Sequence, residues 1–279
     1  MTSEVMAGRP PSRATVRTMS MEGFGPLLRR WRANRRLSQE QLAFDAGVST
    51  RHLSCLETSK AQPSRAMVLA LAGTLDLELR ERNVLLGSAG FAPHYSAAAL
   101  DSLELEPVRR AVELILQQQE PYGAVLFDRC WNVLRLNRGA ERLFATFLGS
   151  HALEPRITSN LVRAALHPDA LRPSIVNWTE LAALLLERLT REHAQHPGDS
   201  ERAALLAEVR SYPGIAQLES DPCGAGAPFA TVHLRRGEDE VRLFTLLTTL
   251  GTPLDTTAQE LTLETYFPAD SASEAWLRR

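Results

Sequence analysis

Apolar positions along the chain change their spacing once, and the change divides it. Between residues 24 and 89 they recur every three or four residues, the period of amphipathic helices, broken by Gly, Ser and Pro. Five short helices follow from that pattern. The first covers Leu27–Arg35, with Leu27, Leu28 and Trp31 on its apolar side. The second opens at Gln39 behind Ser38, where Ser38 and Gln41 have capping-box spacing. Gly47 suits a turn that needs positive φ, and Ser49 caps a third helix from Thr50 to Glu57 carrying Leu53 and Leu56. Pro63-Ser64 starts a fourth helix that runs through Leu75, and Leu79–Ala89 is the fifth.

Beyond residue 106 the pattern mixes helical and alternating periods. A helix over Val108–Gln118 precedes two strands, Tyr122–Asp128 and Trp131–Asn137, that read as a hairpin. Helices follow over Arg138–Leu148, Leu161–Ala165, Val176–Ala194, Glu201–Ser211 and Ile215–Leu218. Three strands, Phe229–Arg236, Glu240–Leu250 and Glu260–Phe267, close the series. The order predicts one antiparallel sheet flanked by helices, an α+β layout rather than a doubly wound one. The expected organisation is therefore multidomain: a disordered basic arm at 1–22, an all-α five-helix domain at 23–93 and a linker at 94–105. An α+β domain at 106–270 and a C-terminal tail at 271–279 complete it.

Composition adds two constraints. With 44% hydrophobic and 23% charged residues, the chain has an ordinary globular composition. It holds no run of the ~18 apolar residues that a membrane span needs and no secretory h-region, so no membrane partner is expected. Cys55, Cys130 and Cys223 are too widely spaced for a metal or disulfide pattern, which implies a reduced, cytoplasmic setting. The net charge of -2 hides an asymmetry: residues 1–90 sum to +5 and the remainder to -7. Only the front half is suited to phosphate.

Two helices crossing steeply need a small residue at Ala43, a turn at Gly47 and apolar positions at Val48, Leu53 and Leu56. This helix-turn-helix leaves Thr50, Arg51 and Ser54 facing outward, where side chains can read base edges in a major groove. Gln39 and Lys60 are placed for backbone phosphates of a double-stranded DNA operator. A helical bundle with a solvated basic face is the competing reading. The segments Leu37-Ser-Gln-Glu-Gln-Leu-Ala43, Gly47-Val-Ser49, Leu53 and Leu56-Glu57 resemble the lambda-repressor/Xre family of helix-turn-helix domains, over all five helices to about Pro93. The resemblance implies DNA-facing roles for Gln39, Thr50, Arg51 and Ser54, and a structural role for Glu57. Ser59 stands where that family usually has glycine, which predicts a slightly strained turn.

The second domain carries more large apolar groups than one sheet face needs. Phe127 and Leu134 lie in the hairpin, Phe144 and Phe147 on the next helix, and Trp178, Leu181 and Leu185 on the long helix. Phe229, Phe244 and Leu246 lie on the closing strands. A pocket built from them would bind a small hydrophobic molecule, with Asn137, Arg163, His167, Arg188 or His233 orienting a carboxylate. Each apolar residue taken singly is more commonly core than pocket, and Asn137 suits a turn or cap. The run Pro121–Asn137 with Arg138–Phe147 resembles the opening of PAS-type sensors. Together with Asn160–Pro168, Asn177-Trp178, Arg188 and Tyr266-Phe-Pro-Ala-Asp270, it is similar to the ligand-binding domain of MmyB-like transcription regulators. That resemblance spans roughly residues 106–270. It implies a cleft between sheet and helices for a small apolar, fatty-acyl type effector, in a transcription regulator with no other cofactor. A dimer is expected, since two half-sites one helical turn apart strengthen operator binding. The alternative is a DNA-binding regulator whose second domain only dimerises or binds a protein partner. Catalysis is not expected: the histidines lack HExxH spacing, no GxSxG occurs, and Gly224-Ala-Gly226 lacks the context of a phosphate loop.

Overall fold

The computed structural model describes residues 23–149, 153–218 and 231–279. The basic arm at 1–22, Phe229 and Cys223 lie outside the described residues. The structure divides into two compact units, residues 23–76 with 84–92, and residues 77–83 with 93–279.

The first unit is helical. Helix α1 (Phe24–Asn34) starts one turn before the expected Leu27, because Pro26 sits in the first turn, where its missing N–H costs nothing. It buries Phe24, Leu27, Leu28 and Trp31. Helix α2 (Gln39–Asp45) is capped by the Ser38 hydroxyl, which accepts from the Gln41 N–H at 3.0 Å. Only half of the expected capping box forms: the Gln41 amide turns forward and donates to Asp45 at 2.8 Å. Gly47 takes φ +67°, and the chain enters helix α3 (Thr50–Glu57), capped by Ser49. Helix α4 (Arg65–Thr74) is capped by Ser64 rather than begun by it. Helix α5 (Leu79–Ser88) spans the division between the units.

At Gly25, α1 approaches the end of α3 closely. A Cβ there would lie 2.5 Å from the Leu56 carbonyl and 2.6 Å from that of Glu57. Gly25→Ala is therefore expected to force the helices apart at a cost of about 1–3 kcal/mol. Faster amide exchange in α1 and α3 of the full chain would show it, and unchanged exchange would refute the close approach.

The second unit begins with helix α6 (Glu106–Gln118) and the hairpin β1 (Ala124–Phe127) and β2 (Val133–Leu136). Helices α7 (Arg138–Phe147), α8 (Pro155–Thr158) and α9 (Leu161–Leu166) follow, then a 3₁₀ turn at Arg172–Ser174. The long α10 (Trp178–Gln195), α11 (Ser200–Arg210) and the short α12 (Ile215–Leu218) complete the helical layer. Strands β3 (Val232–Arg236) and β4 (Asp239–Thr249), helix α13 (Thr256–Glu260), strand β5 (Thr262–Pro268) and helix α14 (Ser271–Leu277) close the chain.

All five strands form one antiparallel sheet in the order β2-β1-β5-β4-β3. Its first and last strands in sequence order are thereby brought together, β1 pairing with β5. Alternation along β5 assigns its residues to two faces. Leu261 and Leu263 pack with Ala124, Leu126 and Leu116 of α6, while Tyr266 packs with the layer containing Phe147, Leu171 and Leu243.

Helix α8 falls where no element was expected, and two further elements depart from expectation. Glu260, expected in a strand, ends a short helix capped by Asp255, whose carboxylate accepts from the Ala258 N–H at 3.1 Å. Residues 271–279, expected as a tail, form helix α14, capped by Asp270, and bury Trp276 and Leu277 in the core.

Candidate functional site

In the first unit, a buried charge network fixes the helix-turn-helix. Glu57, at the end of α3, accepts from Arg32 Nε at 2.6 Å and Nη2 at 3.0 Å, and from the Gln39 amide at 2.7 Å. Arg32 also donates to the Leu37 carbonyl at 2.8 Å. Three helices are thus tied to one carboxylate. Burial pushes that carboxyl up, but the Arg32 and Gln39 bonds and the neighbouring arginine charges outweigh it and hold it below the ordinary range.

The anchoring sets what α3 presents. Leu53 and Leu56 are fully buried, while Thr50, Arg51 and Lys60 are exposed and Ser54 is half-buried. Among the described residues none holds the Arg51 guanidinium or the Lys60 ammonium. Gln39 differs from expectation: its amide is already engaged by Glu57, so one N–H remains for any phosphate. Ser59 has φ +58°, the left-handed turn that its place in the motif predicts.

In the second unit, a cavity of about 100 Å³ lies between the sheet and helices α7, α9 and α10. Leu143 and Phe144 of α7, Leu161 and Ala165 of α9, and Leu181 and Leu185 of α10 form its helical wall. Val232, Leu234 and Leu243 supply the sheet side, with Glu264 and Tyr266 of β5. Trp131 completes it from the β1–β2 turn, with Leu171 and Ile175. That turn is built by Asp128, whose carboxylate accepts from the N–H groups of Cys130 at 2.8 Å and Asn132 at 3.0 Å. It leaves Trp131 at φ +64°, a conformation that bulky residues seldom adopt. The indole stacks on Phe127 with ring centres 4.9 Å apart, lies 4.4 Å beneath the Arg188 guanidinium and donates to Glu192.

Three of the twelve expected ligand residues line this cavity: Phe144, Leu181 and Leu185. Of the rest, Phe127 and Phe147 are core, and Trp178 packs beside them with Arg172 stacked on it at 3.6 Å. Leu134 packs on the α6 side of the sheet. Phe244 stacks on Phe267, and Leu246 is 54% exposed, because both alternate away from Leu243. Asn137 uses all its bonding capacity in structure: its oxygen accepts from the Ala124 and Ala140 N–H groups, and its amide donates to the Leu116 and Tyr122 carbonyls. Arg163 is held by Glu208 at 3.0 Å and His233 by Glu240 at 2.8 Å. His167 accepts from the Asp169 N–H, and Arg188 is bonded to Glu192 at 2.8 Å. None of the expected carboxylate-orienting groups lines the apolar cavity.

The residues that sequence reasoning missed there are led by Trp131, Glu264 and Tyr266. A signal existed for the last two. Glu264 and Tyr266 share a strand face opposite Leu263, the face that the intervening helices must cover.

A second cavity of about 170 Å³ is polar. Arg129, Arg188 and Arg202 there meet Glu78, Glu192 and Glu260. Cys130, Asp199 and Glu201 lie close enough together to suggest a metal site, but the Arg129 guanidinium already bonds Asp199 at 2.7 Å and also Glu201. Burial pushes the Cys130 thiol up to about 12, the opposite of an activated nucleophile. Among the described residues no helix is long and apolar enough to cross a membrane.

Two family profiles match this chain. One, described as a helix-turn-helix domain, covers residues 24–85, and the other, described as the MmyB-like transcription regulator ligand binding domain, covers residues 108–279. No curated protein matches the chain. Among solved structures, the restriction-modification controller protein C.AhdI from Aeromonas hydrophila is 39% identical over 21% of this chain and 86% of its own, with a TM-score of 0.21. An RNA-binding light-oxygen-voltage receptor is 10% identical, with a TM-score of 0.25; the match covers 94% of this chain and 61% of the receptor. With a helix-turn-helix in the first unit and the family's ligand-binding domain over most of the second, the chain belongs to the MmyB-like transcription regulators.

Proposed function

We propose that this regulator reads an operator through α3 and responds to a small hydrophobic effector held in the apolar cavity of its second unit. Thr50, Arg51 and Ser54 are the base-reading side chains, and Lys60 with the free N–H of Gln39 contacts phosphate. Effector binding shifts operator affinity by its difference in affinity for two conformations, about 1–3 kcal/mol in typical cases. The protein acts without catalysis.

One observation carries this reading: a nearly all-apolar cavity lies inside the domain that places the chain in a ligand-binding family. At about 100 Å³ it is of the order of the ~150 Å³ engineered cavity that admits benzene. A compact ligand therefore fits as the cavity stands, and a long fatty-acyl chain requires it to widen.

A homodimer is the operator-binding form. Leu246 and Leu250 on and beside β4 are 54% and 42% exposed, which supports a subunit contact along that strand. Native mass spectrometry of the purified full chain tests both points. A dimer mass with an added small-molecule mass is expected, and Leu246→Glu should shift the population to monomer. A monomer at micromolar concentration would remove the dimer. A cavity that neither retains a ligand nor accepts a compact apolar probe would favour a pure protein-interaction role.

A further inference from the structure

The apolar cavity has one ionisable acid in its wall. Glu264 sits in the middle of β5, opposite Leu247 of β4 and Val125 of β1, with its side chain on the cavity side. Its Oε2 accepts from the Tyr266 hydroxyl at 3.2 Å, and Thr245 bonds the same carboxyl. A carboxylate has roughly four acceptor sites, so two protein donors leave capacity facing the void. Among the described residues Glu264 is in no ion pair, and no Arg, Lys or His lines the cavity. Arg188 is near enough to influence Glu264, but it stacks on Trp131 and is bonded to Glu192.

These facts decide which head group an apolar ligand can carry. A ligand carboxylate would place a second acid beside Glu264 in an apolar pocket whose lining holds no cation to balance it, an arrangement that costs affinity. A hydroxyl or amine would instead donate to the unused acceptor sites. The geometry points to Glu264, supported by Tyr266, as the head-group acceptor of an effector that is a compact apolar alcohol or amine, and as a filter against free carboxylic acids. Burial pushes the Glu264 carboxyl above its ordinary range, against the pull of Thr245, Tyr266 and Arg188, as expected where no ligand cation is present. Burial and the adjacent Glu264 likewise hold the Tyr266 phenol neutral, so it remains a donor to Glu264.

This inference rests on the cavity being the effector site, and the test separates the two. Four probes of one ring size (toluene, benzyl alcohol, benzylamine and benzoate) are titrated into the full chain by ligand-detected NMR. Benzyl alcohol and benzylamine should bind at least about tenfold more tightly than benzoate, a difference of about 1.4 kcal/mol. Glu264→Gln keeps the shape and an acceptor but removes the group that can ionise against a ligand cation. It should leave benzyl alcohol nearly unchanged, weaken benzylamine about tenfold and narrow the penalty on benzoate. Benzoate binding as tightly as benzyl alcohol, or an order unchanged by Glu264→Gln, overturns the head-group assignment. Toluene binding that Leu185→Trp abolishes shows that the cavity itself is the site. If no probe binds, the cavity reading falls and the assignment falls with it.

Discussion

Replacing Glu57 by alanine is expected to unfold the first unit of the full chain. The carboxylate is 2% exposed and its partner Arg32 14% exposed, so the substitution strands a buried guanidinium and frees the Gln39 amide. Breaking one side of such a pair costs about 3–5 kcal/mol. A helical unit of this size rarely holds more than about 3–5 kcal/mol in its core, so the loss matches its whole stability. Hydrogen exchange should show protection lost from α1 through α4, with the sheet of the second unit unaffected. Glu57→Gln, which keeps the shape, should cost less. The pH dependence has a definite sign. The folded carboxyl lies below its ordinary value, so the stabilisation is fully present above about pH 4.5 and disappears as the pH falls through the folded value. Protection that survives Glu57→Ala would show the network to be incidental.

Arg51→Ala is expected to change what the protein reads rather than whether it folds. Arg51 is exposed in the first turn of α3, and an arginine bidentate to guanine contributes about 1–3 kcal/mol of discrimination. Operator preference over scrambled duplex should fall by that amount, with the amide protection of α3 retained. Lys60→Ala makes the contrasting case. It should weaken all duplexes about equally and reduce the salt slope by about one. Equal losses on every duplex for both variants would place Arg51 on phosphate and α3 outside the groove.

The helical first unit was legible because its signals are local. Ser38, Ser49 and Ser64 each cap the helix that follows them, and Gly47 takes the positive φ its position requires. The resemblance implies a structural role for Glu57, but its partners were not legible, because Arg32 and Gln39 lie 25 and 18 residues away from it in sequence. In the second unit the strands were readable as short apolar or alternating runs between turns, but the cavity was not. Large aromatic residues drew attention, yet Phe127 and Phe147 fill core and Phe244 faces away. The wall consists mostly of residues like Leu161, Ala165 and Ile175, which look like any core. Only the pairing of β1 with β5 places Glu264 and Trp131 beside the same void, and no local pattern announces a contact made across 133 residues. The closing helix α14 was missed for a related reason. Trp276 and Leu277 gain their meaning from the core they cover.

The most direct test of effector control is operator affinity with the cavity filled. Fluorescence anisotropy would follow the full chain binding a duplex from its own upstream region, with and without saturating benzyl alcohol, alongside Leu185→Trp. Occupancy should shift the wild-type Kd by about 5–150-fold, the range of a 1–3 kcal/mol coupling, and Leu185→Trp should abolish the response. An operator Kd that stays the same while NMR shows the cavity saturated would contradict an effector role for the cavity.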